Sequence, residues 1–227
     1  MKRKKPARNA QRILVLDIGG TNVKVAGTGI AQAIKIPSGP KLTPARMVRE
    51  VKKAVRGMNF QGISIGYPGM VAGGCPAHDP RNLGPGWVGF NFQKAFGKPV
   101  QLINDAAMQA LGSYDRGRML FLGLGTGLGS AMVVDGELEP LELAHLSYRK
   151  GKTFEDYAGL RGLERMGRKK WEKHVDRIVK HFTAALAADH VVLGGGNAKK
   201  LKRLPPKCKM GDNANAIKGG LRLWAKS

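Results

Sequence analysis

Five groups of residues in this 227-residue chain have types and spacings suited to chemistry. Three are glycine-rich turns that follow apolar runs: Asp17-Ile18-Gly19-Gly20-Thr21-Asn22-Val23-Lys24, Gly123-Leu124-Gly125-Thr126-Gly127-Leu128-Gly129-Ser130, and Gly194-Gly195-Gly196-Asn197. Glycine lets backbone N–H groups approach a phosphate closely, and a carboxylate beside such a turn can hold Mg²⁺ directly or through water. Phosphate contacts are expected from Asp17, Gly19, Gly20, Thr21, Asn22 and Lys24, from Gly125, Thr126 and Gly127, and from Gly195 and Gly196, with Asp17 as the Mg²⁺ ligand. Tight strand packing explains any one turn equally well, but two hairpins together favour a phosphate chain gripped from both sides. The third turn is expected to open a helix, whose N-terminal dipole would favour an anion.

The fourth group is Asn104-Asp105, at the end of the apolar run PVQLIN. Asp105 reads as a helix N-cap, a common task for Asp, and as a general base, because a hydroxyl attacking phosphorus needs an oriented proton acceptor. The two roles are compatible. The fifth group is Glu142, His145 and Glu155. Carboxylates and an imidazole suit vicinal hydroxyls, which both donate and accept hydrogen bonds. His78, His174, His181 and His190 have no metal-ligand spacing and receive no role.

The elements that must position these groups follow from periodicity. ILVLDIGG, NVKVAGTG and AQAIKIP read as a three-stranded meander, and Thr43-Pro44 opens a helix with Met47, Val48, Val51, Ala54 and Val55 on one apolar face. GISIGYPG and PVQLIN read as strands, the Gly- and Pro-rich stretch 73–99 as a functional loop, and residues from Asp105 to about Tyr114 as a helix. MLFLGLGTGLGSAMVVDGEL then repeats strand, glycine turn and strand, with Asp135-Gly136 as a hairpin signal. Helical stretches are expected over roughly 153–188 and 212–226, with a strand at HVVLGGG feeding a helix. The repeat predicts two related lobes: a basic tail over 1–12, an N-terminal lobe over 13–104, a C-terminal lobe over 105–210, and a helix over 211–227 returning to the first lobe.

Bulk composition narrows the field. Hydrophobic residues make up 42%, enough for a core. No apolar run is long enough to span a membrane, and the basic start lacks a signal-peptide core. Cys75 and Cys208 form no C-x-x-C pair, so a reduced, cytoplasmic setting is expected. The net charge is +23, and residues 149–227 carry 20 basic against 7 acidic residues. An excess of this size points to a polyanionic partner.

DIGGTNVK, GYPGMV, LINDAA, GLGTGLGSA, ELAH, FEDYAG and VVLGGG occur in an order and spacing that resemble the ROK family of repressors, open-reading-frame proteins and sugar kinases. Within it the chain is most similar to bacterial polyphosphate glucokinases, which lack the family's zinc-binding cysteines and carry a Lys-Trp helix, as Lys170-Trp171 does here. The resemblance implies a two-lobed α/β fold of the actin/hexokinase (ribonuclease H-like) type with a cleft. It implies phosphoryl transfer from polyphosphate or ATP to the 6-hydroxyl of glucose or a similar hexose. Asp105 matches the catalytic base and Asn104 the sugar-binding Asn. Glu142, His145 and Glu155 match sugar contacts, and Gly69 and Asn82 lie in loops that match those beside the sugar. A homodimer is implied as well.

Three departures stand out. Ala144 replaces a family Gly, Ala107 replaces an Asn or Asp, and Arg149-Lys150-Gly151-Lys152-Thr153 stands where the zinc cysteines would be, so no zinc is expected. Two other functions compete: a non-catalytic sugar-responsive regulator and a basic nucleic-acid-associated protein. Twelve residues before Ile13 are too few for a helix-turn-helix, and an aromatic content of 6% without a nucleic-acid module argues against the latter.

Overall fold

The computed structural model describes residues 11–212 and 214–225. All but the last two residues of the expected basic tail, together with residues 213, 226 and 227 of the expected C-terminal segment, lie outside the described residues.

The chain opens with β1 (Ile13–Ile18), β2 (Asn22–Gly27) and β3 (Ile34–Pro37), an antiparallel meander. Helix α1 (Pro44–Ala54) follows, capped by the Thr43 side chain and burying Met47, Val48 and Val51. Strand β4 (Gly62–Tyr67) pairs parallel to β1, and a small hairpin of β5 (Val71–Ala72) and β6 (Cys75–Pro76) follows. Helix α2 (Phe92–Phe96) precedes β7 (Val100–Asn104), which is parallel to β4, and α3 (Asp105–Ser113). The second half begins with β8 (Arg118–Leu124), β9 (Leu128–Val134) and β10 (Glu137–Leu141), again an antiparallel meander. A short hairpin, β11 (Ser147–Arg149) and β12 (Lys152–Thr153), leads into α4 (Phe154–Ala158), α5 (Leu160–Met166) and α6 (Arg168–Ala185). Strands β13 (His190–Gly194) and β14 (Cys208–Met210) complete the second sheet, and α7 (Asn215–Arg222) closes the chain.

The two sheets have the same plan. Their orders are β3-β2-β1-β4-β7 and β10-β9-β8-β13-β14, so each is a meander extended by two parallel strands. Each has its own core: Leu16, Met47, Tyr67 and Trp87 lie in the first, Leu122, Trp171, Val175 and Leu193 in the second. This is the two-lobed α/β arrangement expected. Trp171 is fully buried, and its indole N–H donates to Ala158 O at 2.8 Å, so it pins α6 to α4. Burying a side chain of this size contributes about 2–3 kcal/mol.

Helix α3 joins the lobes. Met108 packs under Gly66 of β4, and Ala106 packs against Gly129 of β9. Helix α7 lies across α3 and β1, with Gly112 and Gly219 allowing backbone to meet backbone, since a Cβ on either would strike a carbonyl of the other helix. Ser64 Oγ on β4 donates to Gly220 O at 2.6 Å, and Arg222 donates to Leu111 O and Tyr114 O at the end of α3.

Several expectations are corrected. The stretch 73–99 is partly core: Leu83, Trp87, Phe92 and Phe96 are buried, and α2 lies within it. Asp79 holds this segment, its carboxylate accepting from Trp87 N at 2.7 Å and Gly86 N at 3.3 Å. The helical stretches expected over roughly 153–188 are present as three helices, divided at Gly159 and Gly167. The third glycine turn feeds only a three-residue 3-10 turn, Ala198–Lys200, so the helix-dipole argument lapses there. Pro205 and Pro206 follow closely and cannot donate backbone bonds. The final helix spans eight residues, shorter than 212–226.

Candidate active site

Asp105 is the first residue of α3, where the parallel strand β7 ends. The cap is Asn104, correcting the N-cap reading of Asp105: its Oδ1 accepts from Ala106 N at 2.9 Å and Ala107 N at 3.2 Å. Such a cap is worth about 1 kcal/mol. The Asp105 carboxylate accepts from Ala106 N at 2.8 Å, so it is held locally without being needed to start the helix. Asn104 Nδ2 also donates to Gly69 O at 3.0 Å, tying the loop after β4 to the same point.

The first glycine turn faces this carboxylate electrostatically. Asp17 ends β1 nearly buried and accepts from Lys24 Nζ across the hairpin at 3.0 Å. Asp105 keeps some solvent contact but is densely surrounded by protein. Burial first, and then the negative charge of Asp17, push its carboxyl up to about 7; the Ala106 hydrogen bond and Lys24 act against them. A carboxylate tuned near neutral pH beside a glycine turn is the arrangement a general base needs. The turn is braced internally, with Gly19 N donating to Asn22 O at 3.0 Å and Ser38 Oγ to Gly19 O at 2.6 Å. Gly20 faces the side chain of Asn82, which brings the loop after β6 to the first hairpin.

The second glycine turn is held differently. Gly125 N donates to Gly127 O, and the Glu155 carboxylate accepts from Leu128 N at 3.2 Å on one oxygen and from Arg161 at 3.2 Å on the other. Glu155 lies so close to Gly127 that a Cβ there would collide with it. The third turn locks onto the second. Asn197 Nδ2 donates to Gly125 O at 2.8 Å, and Gly195, at φ +82°, lies against Leu124 O where only glycine fits. Gly125 and Gly196 both border open space, so this paired backbone can receive a ligand from one side.

Glu142 and His145 lie 3.6 Å apart on an exposed segment. They join the rest through backbone, with Glu155 N donating to Ala144 O at 3.0 Å. Ala144 is buried there, and Ala107 is fully buried in α3. Neither Glu142 nor His145 touches Asp105, Asn104 or Glu155 through a side-chain hydrogen bond or ion pair among the described residues. The structure therefore groups Asp17, Lys24 and Asp105, groups Asn104 with Gly69 and Gly20 with Asn82, and groups Glu155 with Gly125, Thr126 and Gly127. Thr21 and Asn22 lie at the tip of the first hairpin.

Sequence reasoning missed Arg161, which holds Glu155 and also lies 3.6 Å from Asp156. It also missed the anchoring work of Asn197 and Asp79. A spacing of six between Glu155 and Arg161 is not a helical neighbour pair, so no local pattern marks it.

No three His, Cys, Asp or Glu converge on a possible metal position among the described residues. Asp17 has one oxygen committed to Lys24, which fits a Mg²⁺ held chiefly by donor phosphates and water with a single protein carboxylate.

Comparison with known proteins finds relatives across nearly the whole fold. Polyphosphate glucokinase of Mycobacterium tuberculosis is 28% identical over 213 residues, covering 84% of this chain and 80% of the relative. The crystal structure of an inorganic polyphosphate/ATP-glucomannokinase from Arthrobacter sp. strain KM superposes with a TM-score of 0.80 at 25% identity, covering 95% of this chain and 99% of that one. A ROK family glucokinase from Streptomyces griseus, in complex with glucose and AMPPNP, has the same fold at a TM-score of 0.74 and 15% identity, covering 95% of this chain and 100% of that one. The ROK family profile matches residues 13–140, more than half of the chain and both glycine hairpins, and this protein belongs to the ROK family.

Proposed function

We propose that this protein transfers a phosphoryl group from inorganic polyphosphate to the 6-hydroxyl of glucose or a close hexose, with Asp105 as general base. That it is a sugar kinase, a phosphotransferase acting on a hydroxyl, follows from its family and its named relatives. The observation that carries the mechanism is the Asp105 carboxyl, pushed up to about 7 beside the first glycine hairpin. The sugar hydroxyl donates its proton to Asp105 as its oxygen attacks the terminal phosphorus, and the donor leaves one phosphate shorter. Asn104, Gly69 and Asn82 would orient the sugar near Asp105, while Glu142, His145 and Glu155 would bond its other hydroxyls. The paired backbone of Gly125–Gly127 and Gly195–Gly196, with Gly19–Asn22 opposite, would hold the phosphates. Asp17 would hold Mg²⁺, which when bound neutralises phosphate charge.

The polyphosphate donor is favoured by two supports. One is the names of the relatives. The other is the net charge of +23, which suits a polyanion more than a single nucleotide. A coupled assay of glucose and mannose phosphorylation, run in parallel with ATP and long-chain polyphosphate at two salt concentrations, tests this. Turnover with polyphosphate that weakens as salt rises is expected; turnover with ATP alone at every salt rules the donor out.

A further inference from the structure

Residues 147–182 carry eleven Lys and Arg against five Asp and Glu, and most of those acids are committed elsewhere. Glu155 serves the second hairpin, Asp156 caps α4 through Thr153, and Glu172 accepts from Lys202 N. Three arginines from three elements are thereby left facing one another across a small aromatic cluster. Arg165 of α5 lies 5.2 Å over the Tyr157 ring, and that ring is 4.6 Å from His174 of α6. Tyr148, next to Arg149 in β11, stands edge-on to both rings and bonds His174 Nδ1 at 3.2 Å. Arg177 is three residues beyond His174 on α6, on the same face. All three arginines are exposed, and none forms an ion pair among the described residues.

Like charges gathered without a countercharge repel one another and raise the local positive potential. The potential registers at His174, held below its usual range first by burial and then by Arg177, Arg149 and Arg165. The cluster also has a definite place relative to the donor turn. Leu160 N, at the start of α5, donates to Gly125 O and Thr126 O at 3.1 Å. At about 1.5 Å per residue, Arg165 stands roughly 7–8 Å further along that helix. A chain of phosphates running outward from the hairpin would pass these charges and continue beyond the length of a triphosphate.

We propose that Arg149, Arg165 and Arg177 form an outlying docking face for the distal phosphates of a long inorganic polyphosphate whose terminal unit sits at the Gly125–Gly127 turn. The proposal rests on the polyphosphate reading of the donor and adds to it a chain-length preference located on β11, α5 and α6.

Calorimetric titration of the whole protein with long-chain polyphosphate and with tripolyphosphate, across a salt series, tests it. In the combined Arg149→Gln, Arg165→Gln, Arg177→Gln variant the long-chain affinity should fall about tenfold or more and its log–log salt slope should flatten by roughly two, while tripolyphosphate affinity stays within about twofold. Should the combined variant not fold, Arg149→Gln and Arg177→Gln, on separate elements, should each weaken long chains alone by about two- to threefold. Unchanged long-chain affinity overturns the proposal, as does a parallel loss for tripolyphosphate. A single-stranded oligonucleotide of matched charge that binds as tightly and is lost equally would also overturn it, because the face would then be a nucleic-acid surface. Wild-type protein that binds long chains through these arginines yet transfers nothing from them removes the donor reading and leaves the face standing. Transfer from polyphosphate with affinity independent of chain length does the reverse.

Discussion

The two lobes share a strand order and each presents a glycine-turned hairpin, yet the hairpins solve different problems. The first carries its own charges: Asp17 and Lys24 pair across β1 and β2, and their balance acts on Asp105. The second has no ionisable residue from Gly123 to Ser130. It borrows a carboxylate from Glu155, 27 residues beyond Leu128, and its flank from Gly195 and Asn197. A repeated fold thus separates two tasks. On the proposed mechanism, one hairpin would tune a proton acceptor and the other would offer neutral backbone to an anion.

That division can be broken at its charged end first. Asp105→Asn should lower kcat by about 10²–10⁴-fold while glucose affinity, read by calorimetry, stays within about threefold. A variant retaining more than half of wild-type turnover would remove Asp105 from the chemistry. The same variant should melt higher than wild type at pH 8. A carboxyl whose folded pKa lies above its unfolded value costs stability as pH rises from about 4 through about 7, and Asn removes that cost.

Alanine at Glu142, His145 or Glu155 should mainly raise the sugar KM, by about tenfold or more, with the largest effect at Glu155 because it also holds the second turn. Unchanged sugar KM in all three would show that these residues serve something else.

Two glycines sharpen the comparison within the second hairpin. Gly127→Ala drives a methyl into the Glu155 carboxylate, which must shift off Leu128 N and Arg161, and should destabilise the fold by about 1 kcal/mol. Gly125→Ala points into open space, so the melting temperature should hold and only the donor KM should rise. Equal melting temperatures for the two variants would contradict the packing described. The smallest effect is expected at Lys24. Lys24→Met removes the cation that favours the Asp105 carboxylate, so the acid limb of the rate profile should move to higher pH.

Much of this arrangement was legible in the sequence because its signals are contiguous. Both meanders, the Thr43-Pro44 helix start and the Asp135-Gly136 turn are each written in a few adjacent residues. The turn itself has both φ values positive, at 51° and 85°. What was not legible depends on contacts between distant residues. Asn104 and Asp105 are both able to cap, and only the geometry shows that Asn104 takes the cap and frees its neighbour. The stretch 73–99 reads as a functional loop by composition, but part of it is core, held by Asp79 accepting from Trp87 N and by the burial of that indole. The helix expected after Gly196 stops after one 3-10 turn, Ala198–Lys200, with Pro205 and Pro206 close behind it. The three-arginine face comes from three elements that share no local pattern.

The central claim is that Asp105, poised near neutrality, takes the proton from the sugar hydroxyl. The pH dependence of kcat/KM for glucose tests it most directly, because that ratio reports the ionisation of the free protein. The account predicts an acid limb with a midpoint near 7, so that the value at pH 5 is roughly a hundredfold below the plateau. A value at pH 5 within about twofold of that at pH 8, in protein shown to be folded at both, would contradict it.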